Sequence, residues 1–337
     1  MDETPGKRMT GPMDDTTDSA PIVSVIIPVF NGEDHVADTL QSVLSQSFQA
    51  YEVIIVDDGS TDETANIIAA YAREVNSIHQ RRIRYFYQKN AGSSAARNRG
   101  IKEAKGEWLA FLDADDLWLP DTLKKLTDFM CRHADVYLVF GDSGSFDIDG
   151  ASFASAFKKF GTPHATDQGI LKNAFCQLLE RNFILTGTAL LRKEVFEKTY
   201  PFDPRFRYGE DYDLWTRISL FYSIGCINDI VMHRRMHRHN LSRNNEVCFY
   251  FSRVFSLLKT RREYGNLISM KNIRIHKNIL KILWRILYFY YIKKDFSGIP
   301  EKIRLIYFLA CNYFLAGRKP HGISMLSCKS EKEFIRS

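Results

Sequence analysis

Between residues 22 and 112 the chain alternates between two hydrophobic periods. IVSVIIPVF (22–30), YEVIIV (51–56), RIRYFYQ (82–88) and WLAFL (108–112) are short apolar runs, rich in β-branched and aromatic residues. Polar and Gly-containing turns bound them, so they predict strands. Val36, Leu40, Val43 and Leu44 recur at helical spacing, and 62–76 and 94–104 also read as helices. Strands and helices alternating at this spacing predict βαβ units, an α/β fold with a mostly parallel central sheet flanked by helices. Crossovers of that kind are right-handed, and ligands bind beyond the carboxyl ends of the strands. Asp57, Asp58, Asn90, Asp113 and Asp115 all follow predicted strands, so the fold would gather them on one rim.

Farther along, 136–141 predicts another strand, and the polar, Gly-rich segment 141–169 a long loop or small excursion. ILTGTALLR (184–192) is strand-like, and a helix is expected from near Lys193. In YGEDYDLWTRISLF (208–221), Glu210, Asp211 and Asp213 precede a helix that would turn Leu214, Ile218 and Phe221 inward. After about residue 245 the composition shifts to Phe, Tyr, Leu and Ile interleaved with Lys and Arg. KNILKILWRILYFYYIKK (277–294) places Ile279, Ile282, Leu283, Ile286 and Leu287 on one broad face, and KIRLIYFLACNYFLA (302–316) is a second such stretch. Both fit core helices of a bundle. Both also fit helices lying on an anionic bilayer, the reading their basic residues favour.

The chain thus divides into a flexible tail at 1–20, an α/β unit at 21–245 and a basic, aromatic-rich helical extension at 246–337. The tail has several acids and no apolar core, unlike a secretory signal. No run reaches the ~18 apolar residues of a membrane-spanning helix. The formal charge of +6 is mild and does not choose among lipid, nucleotide and nucleic acid partners. No nucleic-acid-binding motif is present. The six cysteines form no C-x-x-C pair, so neither a zinc site nor a disulfide scaffold is expected, and a reducing compartment suits them.

The stretch FLDADDLW (111–118) sets Asp113, Asp115 and Asp116 directly after an apolar run. Carboxylates that close must be solvated, protonated or neutralised. They fit the acidic first turn of a helix starting near Pro120, or a site for a hard divalent cation.

SVIIPVFNGE (24–33), VIIVDDGSTDET (53–64), QKNAGSSAARNRGI (88–101), WLAFLDADDLWLPDTL (108–123), PFDPRFRYGEDYDLWTRI (201–218) and RMHRHNLS (235–242) follow one another in order. With these six motifs, residues 21–245 resemble the inverting family 2 glycosyltransferases of the GT-A nucleotide-sugar-binding fold, of the kind that build bacterial cell-surface polysaccharides. The resemblance implies transfer of one sugar from a nucleotide-sugar donor, by family habit a UDP-sugar, to a saccharide hydroxyl with inversion. It implies Mn²⁺ or Mg²⁺ as cofactor. Asp115 would ligate the metal, Asp113 would lie near ribose and metal, and His237 would help hold metal or diphosphate. Pro28, Asp57, Asn90 and Arg97 would belong to the nucleotide pocket, Asp57 contacting the base. Asp211 would be the catalytic base, with Glu210 positioning the acceptor or a basic partner. The alternatives stay local: Asp116 as ligand or helix cap, Asp57 and Asp58 as an ordinary turn, and the acids at 210–213 as a helix-start cluster favoured by the dipole. Trp215 would stack on a sugar or fill the core, and Thr186–Thr188 would line the acceptor side. The pattern departs from the family at Arg234, where an aromatic is expected.

A lipid-linked saccharide acceptor and a peripheral, cytoplasmic position on the inner membrane face are expected, without nucleic acid. A nucleotidyltransferase is disfavoured, since SVIIPVFNGEDH lacks a glycine- and basic-rich loop. A non-catalytic carbohydrate-binding or scaffold protein would not need both Asp115 and Asp211.

Overall fold

All seven residues of β1 (Val23–Val29) and of β2 (Tyr51–Asp57) are buried, as expected of strands covered on both faces. The computed structural model describes residues 20–78, 82–147, 152–153, 155–237, 246–265, 278–279 and 281–282. The tail, His239, Asn240, Ser242 and nearly all of 277–294 and 302–316 lie outside these residues.

β1 pairs in parallel with β2 on one side and β4 (Trp108–Phe111) on the other, and β2 pairs in parallel with β3 (Ile83–Tyr87). The connecting helices α1 (Val36–Leu44), α2 (Thr64–Ile78) and α3 (Ser93–Glu103) complete the βαβ units. α3 lies so close to β1 that a Cβ on Gly100 would sit 2.4 Å from Ile26 Cγ2. The chain moves outward from β1 to β2 and β3, then returns to add β4 on the other flank. That reversal opens a crevice at the carboxyl ends of β1 and β4.

Beyond β4 the sheet becomes mixed. Its nine strands run β3-β2-β1-β4-β8-β6-β9-β5, with β7 on β6. β5 is Leu117–Trp118, β6 Val136–Asp147, β7 Ser152–Phe153, β8 Ala189–Arg192 and β9 Ser223–Met236. β8 is antiparallel to β4 and β6, β9 is parallel to β6, and β5 is antiparallel to β9. β6 runs past residue 141 because β9 pairs with it as far as Asp147–Met236, through three register shifts. The start of the expected loop at 141–169 is therefore strand, and α5 (Ala156–Phe160) follows within it.

Two further expectations change. A short strand, β5, stands between the acids of 113–116 and α4 (Thr122–Arg132), so none of those acids caps the helix. The turn at Lys193–Glu197 is a single stretch of 3-10 helix.

One apolar core fills each face of the sheet. A third joins α6 (Ala174–Glu180) and α7 (Glu210–Ile218) to α8 (Glu246–Tyr264), through Phe175, Leu179, Tyr212, Phe251, Val254 and Leu257. Ile279 and Ile282 are buried in the same cluster. Among the described residues, no helix is long and apolar enough to cross a membrane.

Candidate active site

The crevice is a cleft of about 1680 Å³. A pocket for one small ligand is typically about 300–1,000 Å³, so the cleft exceeds that range. One wall carries Pro28, Asp58, Asn90–Ser94 and Arg97, and the floor carries Asp113–Asp116. The opposite wall carries Arg205–Tyr212 and the inner face of α8.

On the first wall, two adjacent aspartates divide the work. Asp58 accepts hydrogen bonds from Gln88 Nε2 (2.7 Å), the Ala91 N–H (2.9 Å) and the Gly92 N–H (2.7 Å), folding the 88–92 loop round its carboxylate. Gly59, at φ +89, brings its turn so near that a Cβ would lie 2.9 Å from the Asn90 nitrogen. Asp57 is fully buried and is not among the cleft-lining residues. It accepts from the Ser60 N–H (2.7 Å) and from the Tyr85 hydroxyl (2.7 Å). Pro28 and Asn90 do reach the cleft.

At the floor, Asp113 and Asp115 are partly exposed and Asp116 is buried. Asp116 accepts from the Arg235 N–H (3.0 Å), a β9 contact. Burial and the neighbouring charges of Asp115 and Asp113 push its pKa well above the usual carboxylate range. His237 Nε2 shares a hydrogen bond with Asp115 Oδ2 (2.8 Å), and its ring lies 5.1 Å from that of His35. Crowded carboxylate oxygens beside an imidazole are a donor set that suits Mg²⁺ or Mn²⁺. Among the described residues, no group of three or more His, Cys, Asp or Glu side chains is arranged to hold a metal ion.

Arg97 joins the floor to the far wall. Its Nη2 donates to Asp113 Oδ1 (2.6 Å) and its Nη1 to Glu210 Oε1 (2.8 Å). Burial works against its charge, but Asp113 and Glu210 outweigh that and raise its pKa.

Asp211 lies in the first turn of α7, after Gly209 in a left-handed conformation (φ 69°). It accepts from Asn182 Nδ2 (3.0 Å) and from the Tyr212 N–H (2.6 Å). Burial, followed by the charge of Glu210, pushes its pKa up to about 7. A carboxylate so poised can take a proton from a bound hydroxyl near neutral pH.

Asp213 points the other way, into the core. It accepts from Arg217 Nε (2.9 Å) and from Lys259 Nζ (2.8 and 2.9 Å). Trp215 is fully buried, its Nε1 donating to the Ile184 carbonyl (3.1 Å). It belongs to the core and does not stack on a sugar. Of the expected acceptor-side turn, Thr186 and Gly187 line the cleft and Thr188 does not. Asn182 and α8 were absent from the sequence-based site. No local pattern marks them, because each reaches the cleft only through long-range packing.

The family described as "Glycosyl transferase family 2" matches residues 24–200, just over half of the chain. An uncharacterized glycosyltransferase of Rickettsia felis is 33% identical over 207 residues, 61% of this chain and 31% of that protein. One of Rickettsia typhi is 31% identical over 220 residues, 65% of each chain. TuaG of Bacillus subtilis, described as a putative teichuronic acid biosynthesis glycosyltransferase, is 40% identical over 127 residues, 38% of this chain and 49% of its own. The chain spans less than two thirds of the length of each of these relatives. Among solved structures, S. aureus TarS 1–349 in complex with UDP-GlcNAc matches at a TM-score of 0.63 and 19% identity, over 86% of this chain and 80% of that one. The mannosyltransferase PcManGT from Pyrobaculum calidifontis, in complex with GDP-Man and Mn²⁺, matches at 0.56 and 16% identity, over 95% and 86%. At such identities the likeness is one of fold.

Proposed function

Since the chain belongs to glycosyl transferase family 2 and has the GT-A fold, we propose that it transfers one sugar from a nucleotide-sugar donor to a hydroxyl of a saccharide acceptor, with inversion at the anomeric carbon. The observation that carries this reading is the bridge Asp113–Arg97–Glu210, which couples the acidic floor to the helix turn bearing Asp211 in one cleft.

The donor lies against the first wall. Pro28 and Asn90 flank the nucleotide, Asp58 shapes the loop that receives it, and Asp57 supports that loop from behind. A UDP-sugar is the default donor. The acceptor enters along the α7 and α8 wall. Asp211 takes the hydroxyl proton onto a carboxylate oxygen as the acceptor oxygen bonds to the anomeric carbon. The bond from that carbon to the diphosphate oxygen breaks on the opposite face, and the nucleoside diphosphate leaves. Glu210, held by Arg97, fixes the helix turn so that Asp211 keeps its aim. Asp113, Asp115 and His237 would hold Mn²⁺ or Mg²⁺. When bound, the ion would neutralise charge developing on the leaving diphosphate.

A lipid-linked acceptor, single addition in cell-surface polysaccharide synthesis, and a peripheral position on the cytoplasmic membrane face complete the proposal. Residues 21–245 together with α8 form the catalytic unit, and the basic aromatic chain beyond α8 supplies the membrane contact.

The test is a screen of UDP-, GDP- and dTDP-sugars for hydrolysis and transfer, using a lipid extract as acceptor. Activity on one donor, abolished by EDTA and in D115A and D211A, is the expected result. Donor turnover unchanged in D211A would remove Asp211 from the chemistry, and failure to bind any nucleotide sugar would end the enzyme reading.

A further inference from the structure

α8 lies outside the segment matched by the family, residues 24–200, yet it builds part of the cleft. Phe249, Tyr250, Arg253 and Phe255 of this helix all line it. They pack on the α7 side: Phe249 against Tyr208 (ring centroids 5.3 Å apart), Phe255 against Phe206 (5.2 Å), and the Arg253 guanidinium 5.2 Å over the Tyr212 ring. Asp211 and Tyr212 both line the cleft from the first turn of α7, so this surface lies on the wall of the proposed base rather than on the nucleotide wall.

Arg253 differs from Arg97 and Arg205, which also line the cleft. Arg97 is paired with Asp113 and Glu210, and Arg205 with Asp203. Arg253 has no carboxylate within ion-pair distance among the described residues. Its Nη2 donates to the Leu179 carbonyl (2.5 Å) near the carboxyl end of α6, and its Nε is buried without a hydrogen-bond partner. A guanidinium carries five N–H donors; the Leu179 carbonyl and the Tyr212 side chain engage this one, and its Nε remains without a partner. A partly desolvated cation of this kind is a strong receptor for carboxylate or phosphate oxygens. The half-buried rings of Phe249, Tyr250 and Phe255 line the cleft on the same helix and give a sugar ring apolar surface to lie against.

We propose that the α8 wall is an acceptor subsite for a saccharide bearing an anionic group, which Arg253 receives while the neighbouring rings flank the sugar. This rests on the transferase reading above, because it places the acceptor beside Asp211. The anion is a uronic acid carboxylate or a sugar-linked phosphate. Both present oxygens that a guanidinium can bind bidentately.

The test measures binding of glucose, glucuronate and glucose 6-phosphate to the full chain with UDP present, by saturation-transfer NMR. At least one anionic probe is expected to bind on the order of tenfold more tightly than glucose, and the tighter of the two identifies the anion. R253K should keep a reduced preference, since it retains the charge without the bidentate fork, and R253Q should lose it, with circular dichroism melts confirming that both variants fold. No difference among the three probes, or a preference that survives in R253Q, overturns the subsite. Nucleotide-sugar binding by the wild type separates the two levels. If it is present without an anion preference, the subsite alone fails. If it is absent, the transferase reading fails and the subsite with it.

Discussion

Asp211 meets opposing demands. Its acceptor role needs the charged form, while burial and Glu210 favour the neutral form and bring its pKa to about 7. The acid limb of kcat/KM should therefore rise with pH through an apparent pKa near 7, with rates well below maximum at pH 6. D211N should lose the limb together with roughly 10²–10⁴-fold in rate, the usual contribution of a positioned base. Stability should move the other way. A carboxyl whose folded pKa is raised from 3.8 to about 7 destabilises the fold progressively as pH rises through that window. D211N should therefore match wild type near pH 4 and melt higher at pH 8. A variant less stable than wild type at pH 8 would mean that the carboxylate is a structural asset. At the same scale, VDDGSTD marks two aspartates as site residues, but the sequence cannot say which one faces the cleft. Asp57 turns back to Ser60 and Tyr85, while Asp58 shapes the loop.

Between elements, the contact that ties α8 to α7 and to the turn before it is Lys259. From α8, it donates to Asp203 (2.7 Å) and Asp213 (2.8 and 2.9 Å), all three being buried. Burial alone would raise the Asp203 pKa, but hydrogen bonds from Arg205 and Lys259 outweigh it and hold the carboxyl below its usual range. Removing one partner of a buried ion network typically costs about 3–5 kcal/mol. K259M should fall near the lower end, because Arg205 and Arg217 still pair with the two acids. Urea unfolding at pH 7 measures this. The gap from wild type should narrow as pH falls below the ordinary carboxylate range, since a carboxyl held low, as that of Asp203 is, loses its stabilising charge there. A gap unchanged by pH would assign the loss to packing. That α8 docks here was not legible from 246–264, where the apolar positions make no clean helical stripe: its buried face mixes Phe251, Val254 and Leu257 with Ser256, Lys259 and Thr260.

Over the whole molecule, the proposed nucleotide wall belongs to the parallel half of the sheet and the proposed acceptor wall to α7, α8 and the turn before α7. If the extension beyond α8 supplies the membrane contact, the full chain should sediment with vesicles of phosphatidylglycerol and release at high salt, where screening weakens attraction to anionic headgroups. A chain ending after Gly265 should stay in the supernatant. Equal sedimentation of both would move the contact to the catalytic unit, and no sedimentation of either would remove the peripheral reading.

The sequence alone determined the parallel half of the fold and the placement of Asp58, Asn90, Asp113 and Asp115 on its rim, with Asp57 beside them but buried. Both follow from hydrophobic period and from short crossovers whose handedness leaves little choice. The family motifs also marked Pro28, Arg97, Glu210, Asp211 and His237 before any contact was visible. Tertiary structure decided which atoms meet. Arg97 reaches Glu210 across 113 positions and His237 reaches Asp115 across 122, distances over which no local periodicity carries information. It set the direction of Asp116, which β9 claims through Arg235. It also buried Trp215 and Asp213, because α7 starts at Glu210 and turns those two residues toward the core while Asp211 faces the cleft.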